Sequence, residues 1–177
     1  MGDECSKTGV CDKNGCGNNP YGNGDKQYYG PGLKVDTSKP FTVVTQFPAK
    51  DGVLQEVVRK YVQNGKVIEN AAISVTGPTN DTYCAKHGAS AFLNLGGMKG
   101  MGESLDRGMV LAMSIWWDEG GFMKWLDSGN SGPCNATEGD PKVIPSIEKA
   151  PAVIFSQIKW GEIGSTFKGK KHHWNRN

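Results

Sequence analysis

The run Met109 to Ile115, MVLAMSI, constrains the fold more than any other part of this 177-residue chain. It is apolar with little polar alternation, which fits a strand covered on both faces, and seven residues are short for a helix. The expectation is a central strand. Phe41 to Phe47 reads as a second strand, with Phe41, Val43, Thr45 and Phe47 on one face and Val44 and Gln46 on the other. Leu54 to Gln63 reads as a third and runs into Asn64-Gly65 before Val67 and Ile68. An Asn-Gly pair between β-prone runs is a strong hairpin signal, because both residues tolerate positive φ. Ala152 to Trp160 reads as the last strand and ends at Gly161.

The 25 glycines tilt the chain toward turns and loops. Residues 1–32 hold Gly, Asn, Pro and Cys without a periodic apolar pattern, so they read as a loop region that needs cross-links. Tyr83 to Ala91 and Leu95 to Leu105 read as short helical turns covering an edge, and Gly129 to Ala150 as a loop. The fold class expected is all-β and sandwich-like. Five or six strands are visible, few against the roughly seven of a complete sandwich.

After the Met109–Ile115 run come Trp116, Trp117, Asp118, Glu119 and the break Gly120-Gly121, then a helical turn, Phe122 to Asp127, carrying Trp125. Neighbouring strand residues face opposite ways, so Trp116 and Trp117 are not both core. For any single tryptophan, burial in a core is the default. Three within ten residues, interleaved with carboxylates, suit a pyranose ring instead. Its C–H groups meet an indole face and its hydroxyls meet carboxylate oxygens.

Five cysteines, Cys5, Cys11, Cys16, Cys84 and Cys134, point to an oxidised, secreted chain. No Cys-x-x-Cys occurs, and neither His87 nor His172-His173 has finger spacing, so no metal is expected. Asn80-Asp81-Thr82 and Asn135-Ala136-Thr137 are glycosylation sequons and agree with that compartment. Met1 is followed by Gly-Asp-Glu, without an apolar signal region, and no run is long enough to span a membrane. Net charge is +2, and the tail 167–177 holds Lys168, Lys170, Lys171 and Arg176 with no acid, leaving the body slightly acidic. Basic clusters mark nucleic-acid sites in some proteins. A short terminal run is more often a solvated end, and no nucleic acid is expected as partner.

Several segments resemble the C-terminal part of glycoside hydrolase family 7, the fungal cellulases. They are CDKNGCGNNPYGNG (11–24), YYGPG (28–32), FTVVTQF (41–47), YVQNG (61–65), GMVLAMSIW (108–116), MKWLDSGNSGPC (123–134) and FSQIKWGEIGST (155–166). They run in order, and the resemblance covers residues 1–166, with the basic tail 167–177 outside it. It implies a concanavalin-like β-jelly-roll sandwich, here incomplete because N-terminal strands are missing. It also implies a secreted, monomeric, cofactor-free endo-β-1,4-glucanase that cleaves cellulose and cello-oligosaccharides with retention.

Retaining hydrolysis needs two carboxyl groups, one as nucleophile and one as acid/base. The family carries them in Glu-x-Asp-x-x-Glu. The nearest approach here, Glu138-Gly139-Asp140-Pro141-Lys142-Val143, lacks the final Glu and contains a proline that a central strand does not accept. No catalytic residue is therefore expected in this chain, and activity alone is not expected. A non-catalytic β-glucan-binding module is the alternative. Gly22 and Ser131 stand where the tunnel-forming cellobiohydrolases place arginines, which favours the open-groove type. The resemblance makes Trp116 and Trp125 stacking platforms for glucosyl rings, on opposite sides of the cleavage point. It makes Asp118 the candidate for a sugar hydroxyl, while Trp117 stands where an Asp or Asn is expected. Asp127 is either a ligand group or a turn acceptor. The resemblance pairs Cys16 with Cys84 and leaves the partners of Cys5, Cys11 and Cys134 outside the chain; a local Cys11–Cys16 bond is the competing possibility.

Overall fold

The computed structural model describes residues 10–69 and 78–168. Its sheet begins with a short parallel pair, β1 (Tyr29–Gly30) and β2 (Val35–Asp36). β3 (Thr42–Gln46) is followed by a small hairpin of β4 (Ala49–Lys50) and β5 (Val53–Leu54), then β6 (Val58–Gln63) and β7 (Lys66–Glu69). β3, β6 and β7 form one antiparallel sheet in that order. The Asn64-Gly65 hairpin is present: Gln63 pairs with Lys66, and both turn residues have positive φ, 52° and 71°. That twist matches the strands it joins.

The expected strand Leu54 to Gln63 is two strands. Leu54 belongs to the β4–β5 hairpin, and Val57 pairs instead with Thr79 through bonds of 2.8 and 3.0 Å. A partner 22 positions away decides the break, which is why the apolar pattern alone reads straight through it.

Val43, Tyr61 and Ile68 stand opposite one another across the sheet. On this face Tyr61 and Ile68, together with Phe41, pack on the buried Tyr28 and Val35. Edge contacts of 5.7–5.9 Å join the rings of Tyr28, Phe41 and Tyr61, a geometry set by the ring quadrupoles. Val44 and Gln46 are buried on the opposite face. At the end of β6 the buried Gln63 acts as a clamp. Its Oε1 accepts from the Asp36 amide at 3.1 Å, and its Nε2 donates to the Asp36 carbonyl at 2.8 Å.

The expected helical turns form α1 (Asp81–Lys86), α2 (Ser90–Asn94) and α3 (Gly97–Asp106). Asn80 caps α1 by accepting from the Tyr83 amide at 2.9 Å, satisfying one of the free N–H groups of the first turn. Asp81 accepts from the Met98 amide at 2.9 Å and ties the starts of α1 and α3 together. A second core gathers Leu54, Tyr83, Cys84 and Met98. α3 lies on β5 through Gly102, where a Cβ would sit 2.7 Å from that of Leu54. Two further short helices follow, α4 (Lys124–Asp127) and, inside the expected loop 129–150, α5 (Ile144–Ile147).

Two expected strands are not realised. Residues 109–117 and 152–160 join no sheet among the described residues. Their side chains are open to solvent, with Val110 91%, Ile154 88% and Trp160 90% exposed. An apolar run becomes a central strand only when other strands pair with it and layers cover it. Neither condition holds here.

Cys16 and Cys84 are joined by a disulfide. Cys11 is also disulfide-bonded, which corrects the expectation that its partner lies outside the chain, while Cys134 is a free thiol. Cys5 and most of the basic tail fall outside the described residues.

Replacing Gln63 with Met keeps the volume but strands the buried amide of Asp36, whose carbonyl keeps only its bond from the Lys39 amide at 3.2 Å. The expected loss is about 2 kcal/mol, since each unsatisfied buried group costs roughly 1–3 kcal/mol. A urea titration followed by circular dichroism measures it, as a lower midpoint than that of the unsubstituted chain.

Candidate functional site

The loop after Trp117 is organised by one carboxylate. Asp118 Oδ1 accepts from the amides of Gly120 and Gly121 at 3.1 and 2.7 Å. Its Oδ2 accepts from the Met123 amide at 3.4 Å and from the Trp125 indole Nε1 at 3.0 Å. A carboxylate offers about four acceptor positions, and all four are taken. These bonds, led by that from Gly121, hold the Asp118 carboxyl below its ordinary pKa of 3.8. Asp118 is thus placed to fix the indole of Trp125.

The loop bends sharply for its length. Phe122 and Met123 both lie in the left-handed region at φ 55°, at roughly 1–2 kcal/mol each for residues with a Cβ. Gly139 packs against the Phe122 carbonyl and leaves no space for a side chain there. The bend delivers α4 with Trp125 beside Trp116. Their ring centroids are 5.7 Å apart and their planes cross at 64°. Trp116 also donates from Nε1 to Ser114 Oγ at 2.8 Å. Both indoles are more than half exposed, as is Trp117. The two expected platforms form one exposed aromatic corner.

Beyond α4 the backbone folds back. The Cys134 amide donates to the Asp127 carbonyl at 2.9 Å, and Ser128 and Cys134 form a bridge. Burial, then the carboxylates of Asp127 and Glu138, push the Cys134 thiol above its ordinary pKa, so it stays protonated. Asn19 reaches from the loop 18–24 to donate to the Ser131 carbonyl at 2.7 Å. Gly22 sits so close to the Asn130 carbonyl that a Cβ would approach it to 3.1 Å. Asp140, in the segment nearest the carboxylate motif, caps a turn by accepting from the Lys142 amide at 2.9 Å.

The sequence profile of glycosyl hydrolase family 7 matches residues 1–167. The chain belongs to glycosyl hydrolase family 7. This family 7 chain is 57% identical over 178 residues to the Aspergillus terreus protein called "Probable endo-beta-1,4-glucanase celB", covering 96% of itself and 42% of that relative. It is 51% identical over 175 residues to endoglucanase EG-1 of Humicola insolens, covering 94% of itself and 40% of that protein. Among solved structures it is similar to a double mutant of the Humicola insolens endocellulase EGI. The TM-score is 0.89 at 50% identity, over 97% of this chain and 44% of that one. An endoglucanase I complexed with cellobiose matches with a TM-score of 0.78, at 50% identity over 84% of this chain and 39% of that one. The fold is therefore a part of the family's β-jelly roll, and the chain spans under half the length of these relatives.

The sequence singled out Trp116, Trp125 and Asp118, and the structure brings them together. What the sequence did not show is that Asp118 is bonded to the amides of its own loop and to Trp125. The pattern Asp118-x-Gly120-Gly121 is a signal for a side chain that bonds its own following amides, and Asn19-Pro20 marks a similar turn, in which Asn19 accepts from the Tyr21 amide at 2.9 Å.

Because its folded pKa is depressed, the carboxylate of Asp118 holds the loop fully above pH 3.8, and that hold fades as the pH falls below it. Tryptophan emission should therefore shift to the red as the pH is taken below 3.8. In Asp118→Asn, half of the acceptor capacity is gone, and the red-shifted emission should already be present at neutral pH and stay flat on acidification.

Proposed function

We propose that this chain is the substrate-holding part of a secreted endo-β-1,4-glucanase of family 7. The exposed corner of Trp116 and Trp125, fixed by Asp118, stacks glucosyl rings of cellulose or cello-oligosaccharides. The observation that carries this reading is that corner, in a chain 57% identical to a protein called an endo-beta-1,4-glucanase. Asp118 acts through Trp125. Its four filled acceptor positions make it a positioning residue rather than a sugar ligand.

The groove is of the open type. Gly22 lies against the Asn130 carbonyl and Ser131 is bonded to Asn19, so neither position projects a long cation toward a ligand. Hydrolysis with retention needs a carboxyl pair about 5 Å apart. Glu-x-Asp-x-x-Glu is absent from this sequence, and Asp140 is occupied in a turn. The chain alone binds glucan without cutting it, as a monomer and without nucleic acid or membrane. No helix among the described residues is long and apolar enough to cross a membrane.

Isothermal titration with cellotetraose should show binding to the purified chain, and Trp125→Ala should weaken it about tenfold, which corresponds to ~1.4 kcal/mol. Trp116→Ala should act similarly, and Trp160→Ala should leave affinity unchanged. Release of shorter sugars from cellotetraose by the chain alone, or equal binding by all three variants, would overturn the reading.

A further inference from the structure

The fold treats the two sequons, Asn80-Asp81-Thr82 and Asn135-Ala136-Thr137, differently. Asn80 is half-buried and belongs to the start of α1. Its Oδ1 caps the helix on the Tyr83 amide, and its carbonyl accepts from the Cys84 amide at 2.9 Å. The residue after it, Asp81, is bonded to Met98 of α3, and the residue before it, Thr79, accepts from Asn18 at 3.2 Å. Asn80 thus sits between one residue bound to α3 and another bound to the disulfide-anchored loop.

Residues 135–138 are all exposed. Asn135 Oδ1 accepts from the Thr137 amide at 3.2 Å and from the Thr137 hydroxyl at 3.3 Å, the turn in which an Asn side chain bonds its own backbone two residues on. The Glu138 amide donates to the Asn135 carbonyl at 3.1 Å, and the Asp140 amide to the Thr137 carbonyl at 3.1 Å. Both bonds to the Asn135 side chain end on Oδ1, and Nδ2, the atom that an N-linked sugar takes, has a part in neither. A glycosylated asparagine keeps its side-chain carbonyl, so this turn survives the modification unchanged. A glycan is bulky and needs surface, which the exposed turn supplies.

We propose that Asn135 is a site of N-linked glycosylation. This rests on the reading of the chain as part of a secreted enzyme, because the donor is an oligosaccharide carried on a lipid diphosphate in the secretory route. Asn135 Nδ2 attacks the anomeric carbon of that oligosaccharide. The N–C bond forms, the bond from the anomeric carbon to the diphosphate oxygen breaks, the lipid diphosphate leaves with the electron pair, and Nδ2 gives up one proton. The glycan stands on the segment that, through Gly139, packs against the Phe122 carbonyl in the bend delivering Trp125.

The test is translation of this chain behind a cleavable secretion leader in the presence of microsomes. Only chains that the membrane shields from added protease are scored, so the readout does not depend on folding. A mobility shift reversed by an amidase specific for N-glycans should appear, and peptide mapping should find the resulting aspartate at position 135. Asn135→Gln and Thr137→Ala should each carry one glycan fewer than the unsubstituted chain. Thr137→Ser, which keeps the hydroxyl, and Thr82→Ala, which removes only the other sequon, should retain the glycan at Asn135. Shielded chains without any glycan, an unchanged glycan number in Asn135→Gln, or loss of all glycan in Thr82→Ala would each overturn the proposal. A glycan at Asn135 in a chain that does not bind cellotetraose would support the site and refute the glucan-binding reading, while binding by a chain that microsomes leave unmodified would do the reverse.

Discussion

The Cys16–Cys84 disulfide is the constraint on which the rest of the described structure depends. It closes a separation of 68 residues and pins an irregular, glycine-rich stretch to a helix in the core. A cross-link of that span removes roughly 4 kcal/mol of loop-closure freedom from the unfolded chain on the chain-entropy account. Its neighbourhood extends the anchor. The Tyr83 hydroxyl donates to the Gly17 carbonyl at 3.2 Å and accepts from Asn23 at 3.0 Å, while Asn18 donates to Thr79 Oγ1 at 3.2 Å. The loop 17–24 has little apolar surface of its own, so these bonds and the disulfide give it a shape.

That shape propagates to the aromatic corner. Asn19, held at the tip of the pinned loop, bonds Ser131. Ser131 lies in the turn that returns to pair Cys134 with the Asp127 carbonyl at the end of α4. The helix that carries Trp125 is therefore held from one side by the disulfide-anchored loop and from the other by Asp118. An indole offered to a ligand gains from such support, because a ring fixed before binding has less conformational freedom to lose. Trp116 is fixed more lightly, by Ser114 and by the edge of Trp125.

What could be read from the sequence was what depends on neighbours in sequence. Asn64-Gly65 announced its hairpin because positive φ is a property of those two residues. α1 and α2 were legible as helical turns within Tyr83 to Ala91, although Asn80, the cap of α1, was read only as part of a sequon. The aromatic corner was legible as a composition, three tryptophans among carboxylates. Its geometry was not, because the bend at Phe122 and Met123 runs against the preference of both residues and exists only with the Asp118 bonds around it. The split of β5 from β6 was hidden for a similar reason, since Val57 answers to Thr79. Cys11 was misread because the resemblance placed its partner outside the chain, whereas it is disulfide-bonded.

The unrealised strands show the limit of propensity. MVLAMSI has the composition of a buried strand, and in isolation that composition specifies a need rather than a structure. Extended backbone forms no hydrogen bonds with itself, unlike a helix, so every N–H and C=O of a strand waits for a partner elsewhere. β3, β6 and β7 satisfy one another across short connections and form. Residues 109–117 and 152–160 find no ladder partner among the described residues, and the cores around Tyr28 and Leu54 do not reach them. Local hairpins, a capped helix and one long-range disulfide are enough to shape the remainder, which is why the aromatic corner is formed in a chain whose most strand-like sequences are not in sheet.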